Sequence, residues 1–119
     1  MSAPGTGTDA LQTARRFIAA FNERDAGALE ALAADDIQLR RVGGEPLRGR
    51  DGVRALVTIA EELGIRLVRL RPASVEEGDG LARVTQPVRE LIGPDDIERR
   101  VEIEIRDGRV AAFTVRPLA

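Results

Sequence analysis

The sequence predicts an α+β domain in which the helices come before most of the strands. Apolar residues recur at helical spacing in three segments between residues 9 and 63, and from residue 65 onward they alternate with polar residues. Because helices and strands are segregated along the chain, an antiparallel sheet is expected rather than βαβ units. A chain of 119 residues has the size of a single domain, which we place at residues 9–119 after a flexible tail of residues 1–8.

Two helices are predicted at the start of the domain. Asp9 is the expected N-cap of the first helix, because Gln12 stands at the capping-box spacing. The buried face of this helix is expected to be an apolar stripe of Leu11, Ala14, Ile18 and Phe21, with Phe17 on its flank. Asp25 is expected to cap a short second helix. That helix should stop near Asp35 and Asp36, because carboxylates at a helix C-terminus oppose the helix dipole.

A hairpin and a third helix are predicted next. Residues 37–42 alternate as a strand, and Gly43 and Gly44 are typical of a turn leading to residues 46–48. A third helix opens near Asp51, and Gly64 is placed for a left-handed C-terminal cap. Its apolar positions are Val53, Leu56, Val57, Ala60 and Leu63.

The remaining chain is predicted to form strands at residues 65–77, 81–92, 97–106 and 109–116. In the third of these strands one face is apolar and the other is charged, so one face of the sheet should be wet. Arg83 and Arg89 should pair across strands with Glu residues on that wet face. Pro87 has no N–H group and indicates an edge position or a bulge.

Composition narrows the possible chemistry. The chain has no Cys, His, Trp or Tyr, which excludes disulfides, Cys/His zinc sites and the Ser-His-Asp triad. It carries 18 basic residues, all of them Arg, and a net charge of −2, which argues against a nucleic-acid surface. We find no cofactor signature, no metal site and no apolar run for a signal peptide or membrane span. A cytoplasmic protein without membrane contact is therefore expected.

Arg41 is the main candidate site residue. Strand alternation places its side chain on the apolar face with Ile37 and Leu39, and alternation on residues 81–92 points Gln86 and Glu90 to the same face. An unpaired buried guanidinium is costly. Arg41 is therefore expected either to pair with Glu90, which would then serve as a weak general base, or to hold a carboxylate or enolate oxygen of a ligand.

Other interpretations of Arg41 stay open at this point. The guanidinium can be a structural ion-pair partner, or it can reach water at the end of the strand. A bulge at Pro87 would turn Glu90 out of the pocket.

Three segments carry a family resemblance: "RRFIAAFNERDAGALEALAADDIQL" at residues 15–39, "LRGRDGVRAL" at residues 47–56, and the long strands that follow. With these segments the chain resembles the nuclear transport factor two-like superfamily, in its SnoaL-like and ketosteroid-isomerase-like branch. The resemblance implies a cystatin-like α+β roll: a cone-shaped, curved antiparallel sheet wrapped around a long N-terminal helix, with two further helices. It also implies a pocket between sheet and helices, and homodimers.

The catalytic residues of the family are missing from the matching positions. A ketosteroid isomerase has a tyrosine where this chain has Phe17 and a proton-shuttling aspartate where it has Arg41. The isomerase's protonated aspartate falls at Val101, or at Glu102 if the alignment slips by one residue. SnoaL-type cyclases and scytalone dehydratase rely on His with Asp, and limonene epoxide hydrolase on a Tyr and a second strand-borne Asp. Each of these chemistries therefore loses a central part.

Two functions follow as expectations. The first is a domain that binds a small hydrophobic or weakly acidic compound in an apolar pocket, as an isomerase, cyclase or hydrolase without cofactor that uses Arg41 and Glu90. The second is a non-catalytic dimeric interaction or regulatory module with a residual pocket. The residues expected to line the pocket are Phe17, Phe21, Leu56, Ala60, Val84, Gln86, Val88, Val101, Ile103 and Phe113.

Overall fold

The structure is a computed structural model that describes the backbone of residues 6–118 and the side chains from residue 9 onward. It contains three helices, α1 (Thr6–Asn22), α2 (Ala26–Leu32) and α3 (Gly49–Leu63). The strands are β1 (Ala33–Arg40), β2 (Leu47–Arg48), β3 (Ile65–Arg69), β4 (Ser74–Gly78), β5 (Leu81–Ile92), β6 (Asp95–Arg106) and β7 (Arg109–Pro117).

The seven strands form one curved, unclosed sheet, which confirms the predicted α+β class. Its order is β2-β1-β7-β6-β5-β3, and β4 also pairs with β5. All pairs are antiparallel except β1 with β7, which is parallel. The sheet is therefore mixed, and the prediction of a purely antiparallel sheet was wrong for this one pair. A parallel pair needs a long crossover, and here the whole chain between β1 and β7 supplies it.

The first helix begins earlier than predicted. α1 already includes Thr6, so residues 6–8 belong to the helix and not to a tail, while residues 1–5 lie outside the described part. Asp9 lies in the first turn instead of at the N-cap. Its carboxylate still interacts favourably with the positive end of the helix dipole there. The residues that α1 buries are Ala10, Ala14, Phe17, Ala20 and Phe21, with Leu11 and Ile18 half-buried beside them.

The boundary between α2 and β1 differs from the prediction. The Asp25 carboxylate caps α2 as expected, accepting a 3.0 Å bond from the Ala28 N–H. The helix ends at Leu32, and Ala33 already has extended backbone. Asp35 and Asp36 therefore lie in β1 and are exposed there, so they do not stop the helix. The pairing of β1 with β7 is irregular at this point, which accommodates two adjacent carboxylates in a strand.

The predicted strand 65–77 is two strands separated by residues 70–73. β3 pairs with one half of β5 and β4 with the other half. Pro87 lies opposite this break, where its carbonyl accepts a 3.0 Å bond from the Leu70 N–H. The N–H and C=O of one strand residue point to the same side. The side on which Pro87 lacks an N–H is therefore the side where residues 70–73 interrupt the strand pairing, so no ladder hydrogen bond is lost. No bulge is needed, and β5 pairs with β6 in continuous register from Leu81 to Ile92.

Two polar side chains fasten α1 and its following loop to β3. Asn22 donates a 2.8 Å bond to the Leu67 carbonyl and accepts a 2.9 Å bond from the Leu67 N–H. Arg24 donates to the carbonyls of Ala60 and Ile65, which joins the loop after α1 to the end of α3. The left-handed cap predicted at Gly64 is present there, with φ 66°.

The outward face of the sheet carries cross-strand ion pairs, as predicted, although the partner of Arg89 is an Asp and not a Glu. Arg83 contacts Glu104 at 3.1 Å, and Arg89 contacts Asp96 at 2.5 Å. The hydrogen bond and charge of Asp96 raise the pKa of Arg89 above its ordinary value. The opposite face of the sheet packs against α1 and α3 and holds the core. None of the helices in the described part of the chain is long and apolar enough to cross a membrane.

Candidate functional site

The space between sheet and helices, where a pocket was predicted, is filled by aromatic side chains. The Phe113 ring lies 5.2 Å from Phe17 and 5.9 Å from Phe21, centre to centre. All three are buried, and we call them the aromatic core. Eight of the ten predicted pocket residues line none of the five main clefts formed by the described residues: Phe17, Phe21, Leu56, Ala60, Val84, Val101, Ile103 and Phe113. They pack against one another in the core.

Arg41 lies just after β1, beside the turn at Gly43 and Gly44. An added side-chain carbon at Gly44 would approach the Arg41 Nη1 to 2.6 Å, so the guanidinium lies against this turn. Its Nε is buried and has no hydrogen-bond partner among the described residues. The side chain as a whole is half-buried. Gly44 leaves room for this arrangement because it has no side chain of its own.

Glu90 does not pair with Arg41, which corrects one of the two expectations for Arg41. β1 is three strands from β5 in the sheet, or roughly 14 Å at about 4.8 Å per strand. Glu90 instead accepts a 3.0 Å bond from the Nε of Arg99 on the adjacent strand β6. Glu90 is only 4% exposed, and the register confirms that it faces inward. Arg99 thus holds the carboxylate that was considered as a general base.

The two remaining predicted residues, Gln86 and Val88, line a cleft between α1 and the sheet. We call it the α1–sheet cleft. Its volume is about 260 Å³, and its lining residues are Arg15, Ile18, Ala19, Asn22, Leu67, Arg69, Gln86 and Val88. Its walls are mainly apolar with a few polar groups, which is the usual make-up of small-ligand sites. α1 provides one wall, and strands β3 and β5 provide the other.

The polar groups of the α1–sheet cleft are held at fixed positions or carry positive charge. Asn22 is fixed by its two bonds to the Leu67 backbone. Gln86 is 5% exposed, and its Nε2 donates to the carbonyls of Arg71 and Pro87. The cations are Arg15 and Arg69, both exposed. Neither forms an ion pair with any residue of the described range.

No carboxylate of the described residues lines the α1–sheet cleft, and the charged groups among its lining residues are the two guanidinium groups. Guanidinium groups bind carboxylates and phosphates by parallel N–H bonds. An apolar groove with two free cations can therefore hold a small organic anion by its charged end and its hydrocarbon body together.

A larger cleft lies elsewhere and has the opposite charge. It has a volume of about 440 Å³ near the start of α1, and its acidic lining residues are Asp9, Glu77, Asp79 and Asp107. Within residues 6–118, no group of three or more carboxylates is arranged to hold a metal ion. Repulsion between these carboxylates and a negatively charged ligand disfavours binding of an anion in this cleft.

Several residues of the site were missed by sequence reasoning. Arg15 and Arg69 look like ordinary surface residues in the sequence, because nothing local shows that α1 and β3 lie side by side. Arg99 carried a usable signal, since it shares the strand parity of Val101 and so faces inward. The charged neighbours of Arg99 on both sides concealed that signal.

The model of the SnoaL-like domain family matches residues 14–113, which is most of the chain. The chain belongs to the SnoaL-like domain family. This confirms the resemblance to the nuclear transport factor two-like superfamily. None of the curated protein sequences compared with the chain matches it.

Solved structures of low sequence identity share the SnoaL-like fold. A candidate dehydratase of the NTF2-like family from Streptomyces avermitilis has a TM-score of 0.82 at 17% identity, covering 99% of each chain. A candidate polyketide cyclase from Sinorhizobium meliloti has a TM-score of 0.72 at 19% identity, covering 93% of this chain and 99% of the other. A candidate ketosteroid isomerase from Kribbella flavida has a TM-score of 0.69 at 22% identity, covering 95% and 81%. At these identities the likeness shows the fold alone.

Proposed function

We propose that this SnoaL-like domain binds a small organic anion with an apolar body in the α1–sheet cleft. The observation that carries the proposal is a mainly apolar groove with two exposed arginines, Arg15 and Arg69, and no lining carboxylate. The proposal keeps the weakly acidic ligand expected from the sequence, but it moves the site from the interior to an open cleft between α1 and the sheet. A cytoplasmic location stays a prediction from the sequence.

The proposal is for binding rather than for chemistry. The aromatic core occupies the interior, and Arg99 holds the Glu90 carboxylate. Phe17 also stands where the isomerases of the family have a tyrosine. The isomerase, cyclase or hydrolase activity expected for Arg41 and Glu90 therefore has no support from this arrangement. Conversion of a bound acid into a product would support such an activity.

A thermal-shift screen tests the proposal with small hydrophobic acids, ketones and epoxides. A ligand at about 100 times its Kd stabilises the folded state by about 2.7 kcal/mol, which a melting curve resolves. We expect acids to raise the Tm and their neutral amides to have no effect. If the ketones or epoxides shift the Tm and the acids do not, the anion proposal is wrong.

Matched variants locate the binding site. Arg15→Gln and Arg69→Gln should remove the Tm shift caused by an acid. Arg16→Gln and Arg66→Gln remove the same charge from exposed neighbours on α1 and β3 that do not line the α1–sheet cleft, and they should preserve it. Equal loss in all four variants would mean that the acid responds to overall charge and not to this site.

The second candidate function is a homodimeric interaction module, favoured by the outward face of the sheet. This face is exposed or half-buried and carries paired charges, including Arg116 with Glu102 at 2.8 Å and Arg100 with Glu102 at 3.2 Å. A two-fold axis would set such a face against its own copy. Sedimentation of the wild type and of Glu102→Arg tests this. Dissociation in the variant supports the dimer, and a monomeric wild type excludes it.

A further inference from the structure

The side-chain amide of Gln86 is held so that only its oxygen remains free. A glutamine amide has two N–H donors and one carbonyl acceptor. In Gln86 the nitrogen donates to the Arg71 carbonyl at 2.6 Å and to the Pro87 carbonyl at 2.8 Å. Both donors are therefore used, and the two bonds fix the plane of the amide. No residue in the described range donates to the Oε1.

The break between β3 and β4 explains why a glutamine occupies this position. Residues 70–73 leave the sheet here, so the Arg71 carbonyl has no strand partner and accepts from Gln86 instead. The Pro87 carbonyl accepts a second bond, from the Leu70 N–H. The need to satisfy these carbonyls fixes the nitrogen end of the amide and thereby sets the direction of the oxygen.

The free oxygen of Gln86 belongs to a residue that lines the α1–sheet cleft, and this oxygen is not sealed from solvent. Gln86 lines this cleft although it is only 5% exposed. Among the described residues, the side-chain polar atoms that are sealed from solvent and form no hydrogen bond belong to Arg41 and Arg100, and not to Gln86. Gln86 is thus a mostly buried lining residue with one unused acceptor, whereas the two charged lining residues, Arg15 and Arg69, are exposed.

We infer that Gln86 selects acids that carry a hydroxyl or N–H group on their apolar body, at the end away from the charge. This inference rests on the proposed anion site, and it names the ligand class. A volume of about 260 Å³ lies just below the usual range for ligand sites, so the body has the size of one ring. An acid without the donor would cover the Gln86 oxygen and leave it unpaired, which lowers affinity.

Calorimetric titration with para-hydroxyphenylacetate and phenylacetate tests the inference, because these acids differ only in the hydroxyl. We expect the wild type to bind the hydroxylated acid about tenfold more tightly. Gln86→Met should bring the ratio of the two Kd values to about one. Thr85→Val, a change at the neighbouring outward position of β5, should leave the ratio at about ten.

The outcomes separate this inference from the proposal on which it rests. If wild-type protein binds both acids equally and Arg69→Gln weakens both, the anion site stands and the role of Gln86 is wrong. If neither acid binds the wild type, the anion site and the inference both fail. The wild-type ratio decides the inference even if Gln86→Met does not fold.

Discussion

Two faces of α1 show how one fold family can lose one site and offer another. Toward the sheet, Phe17 and Phe21 pack on Phe113 and close the interior. On the flank of the same helix, Arg15 and Asn22 face β3 and β5 across an open groove. A closed interior contributes stability through burial and packing, whereas an open groove with free cations contributes little stability and retains the capacity to bind. A binding site in this fold therefore need not coincide with the interior between sheet and helices.

The largest expected effect is in the aromatic core. Phe113→Ala should lower the free energy of unfolding by about 3 to 5 kcal/mol, because it removes a buried ring and leaves a cavity. Urea denaturation measures this loss. The control is Thr114→Ala, an outward-facing neighbour on β7, which should change stability by less than about 0.5 kcal/mol. A loss below about 1 kcal/mol for Phe113→Ala would mean that the interior is not tightly packed.

The Glu90–Arg99 pair should give the second largest effect. Glu90→Gln removes the negative charge that pairs with the mostly buried Arg99 and should lower the free energy of unfolding by about 2 kcal/mol. A double-mutant cycle with Arg99→Gln should show coupling, and a cycle with Arg41→Gln should show none. The exposed pair of Arg83 and Glu104 serves as reference, with an expected coupling below about 1 kcal/mol. Coupling between Glu90 and Arg41 would contradict the described contacts and support the pairing predicted from the sequence.

Asn22 fastens one wall of the α1–sheet cleft to the other. Asn22→Ala removes both side-chain bonds to the Leu67 backbone and should lower stability by about 1 to 2 kcal/mol. Hydrogen exchange of the Leu67 amide should accelerate, since that N–H loses its acceptor. Glu23→Ala, at the next and exposed position, should change neither quantity. Unchanged exchange at Leu67 in Asn22→Ala would contradict the described contact.

The smallest effect on stability is expected at the rim of the cleft. Arg69→Gln and Arg66→Gln should each leave the free energy of unfolding within about 0.5 kcal/mol of the wild type, because both side chains are exposed. Only Arg69→Gln should weaken the binding of phenylacetate, by about tenfold. Titration of both variants measures this difference. Equal affinities for the two variants would remove Arg69 from the site.

The sequence predicted the order of elements well because periodicity is a local property. The two-residue alternation located β5, β6 and β7 to within two residues at each end, and Gly64 marked the end of α3. The parallel pairing of β1 with β7 was not predictable in this way. It depends on a contact between residues about 75 positions apart, for which the alternation within either strand carries no information.

The site was predicted less well because it depends on how elements meet. Parity placed Gln86 and Glu90 correctly on the inner face, but the partner of Glu90 and the cleft beside Gln86 depend on which strands and helices are neighbours. Arg41 shows the same limit: its strand was predicted, yet the turn at Gly44 determines where its guanidinium lies. The sequence pattern shows to which side of the sheet a residue points, whereas the tertiary structure determines which residues it contacts.

Nuclear magnetic resonance mapping of backbone amides during titration with phenylacetate tests the central claim most directly. The claim is that the interior is closed and that binding occurs in the α1–sheet cleft. We expect changes in amide chemical shift to cluster at Ala19, Asn22, Leu67, Arg69 and Val88. Changes clustered instead at Leu56, Ala60, Val101 and Phe113 would show that the ligand enters the interior, and would contradict the account.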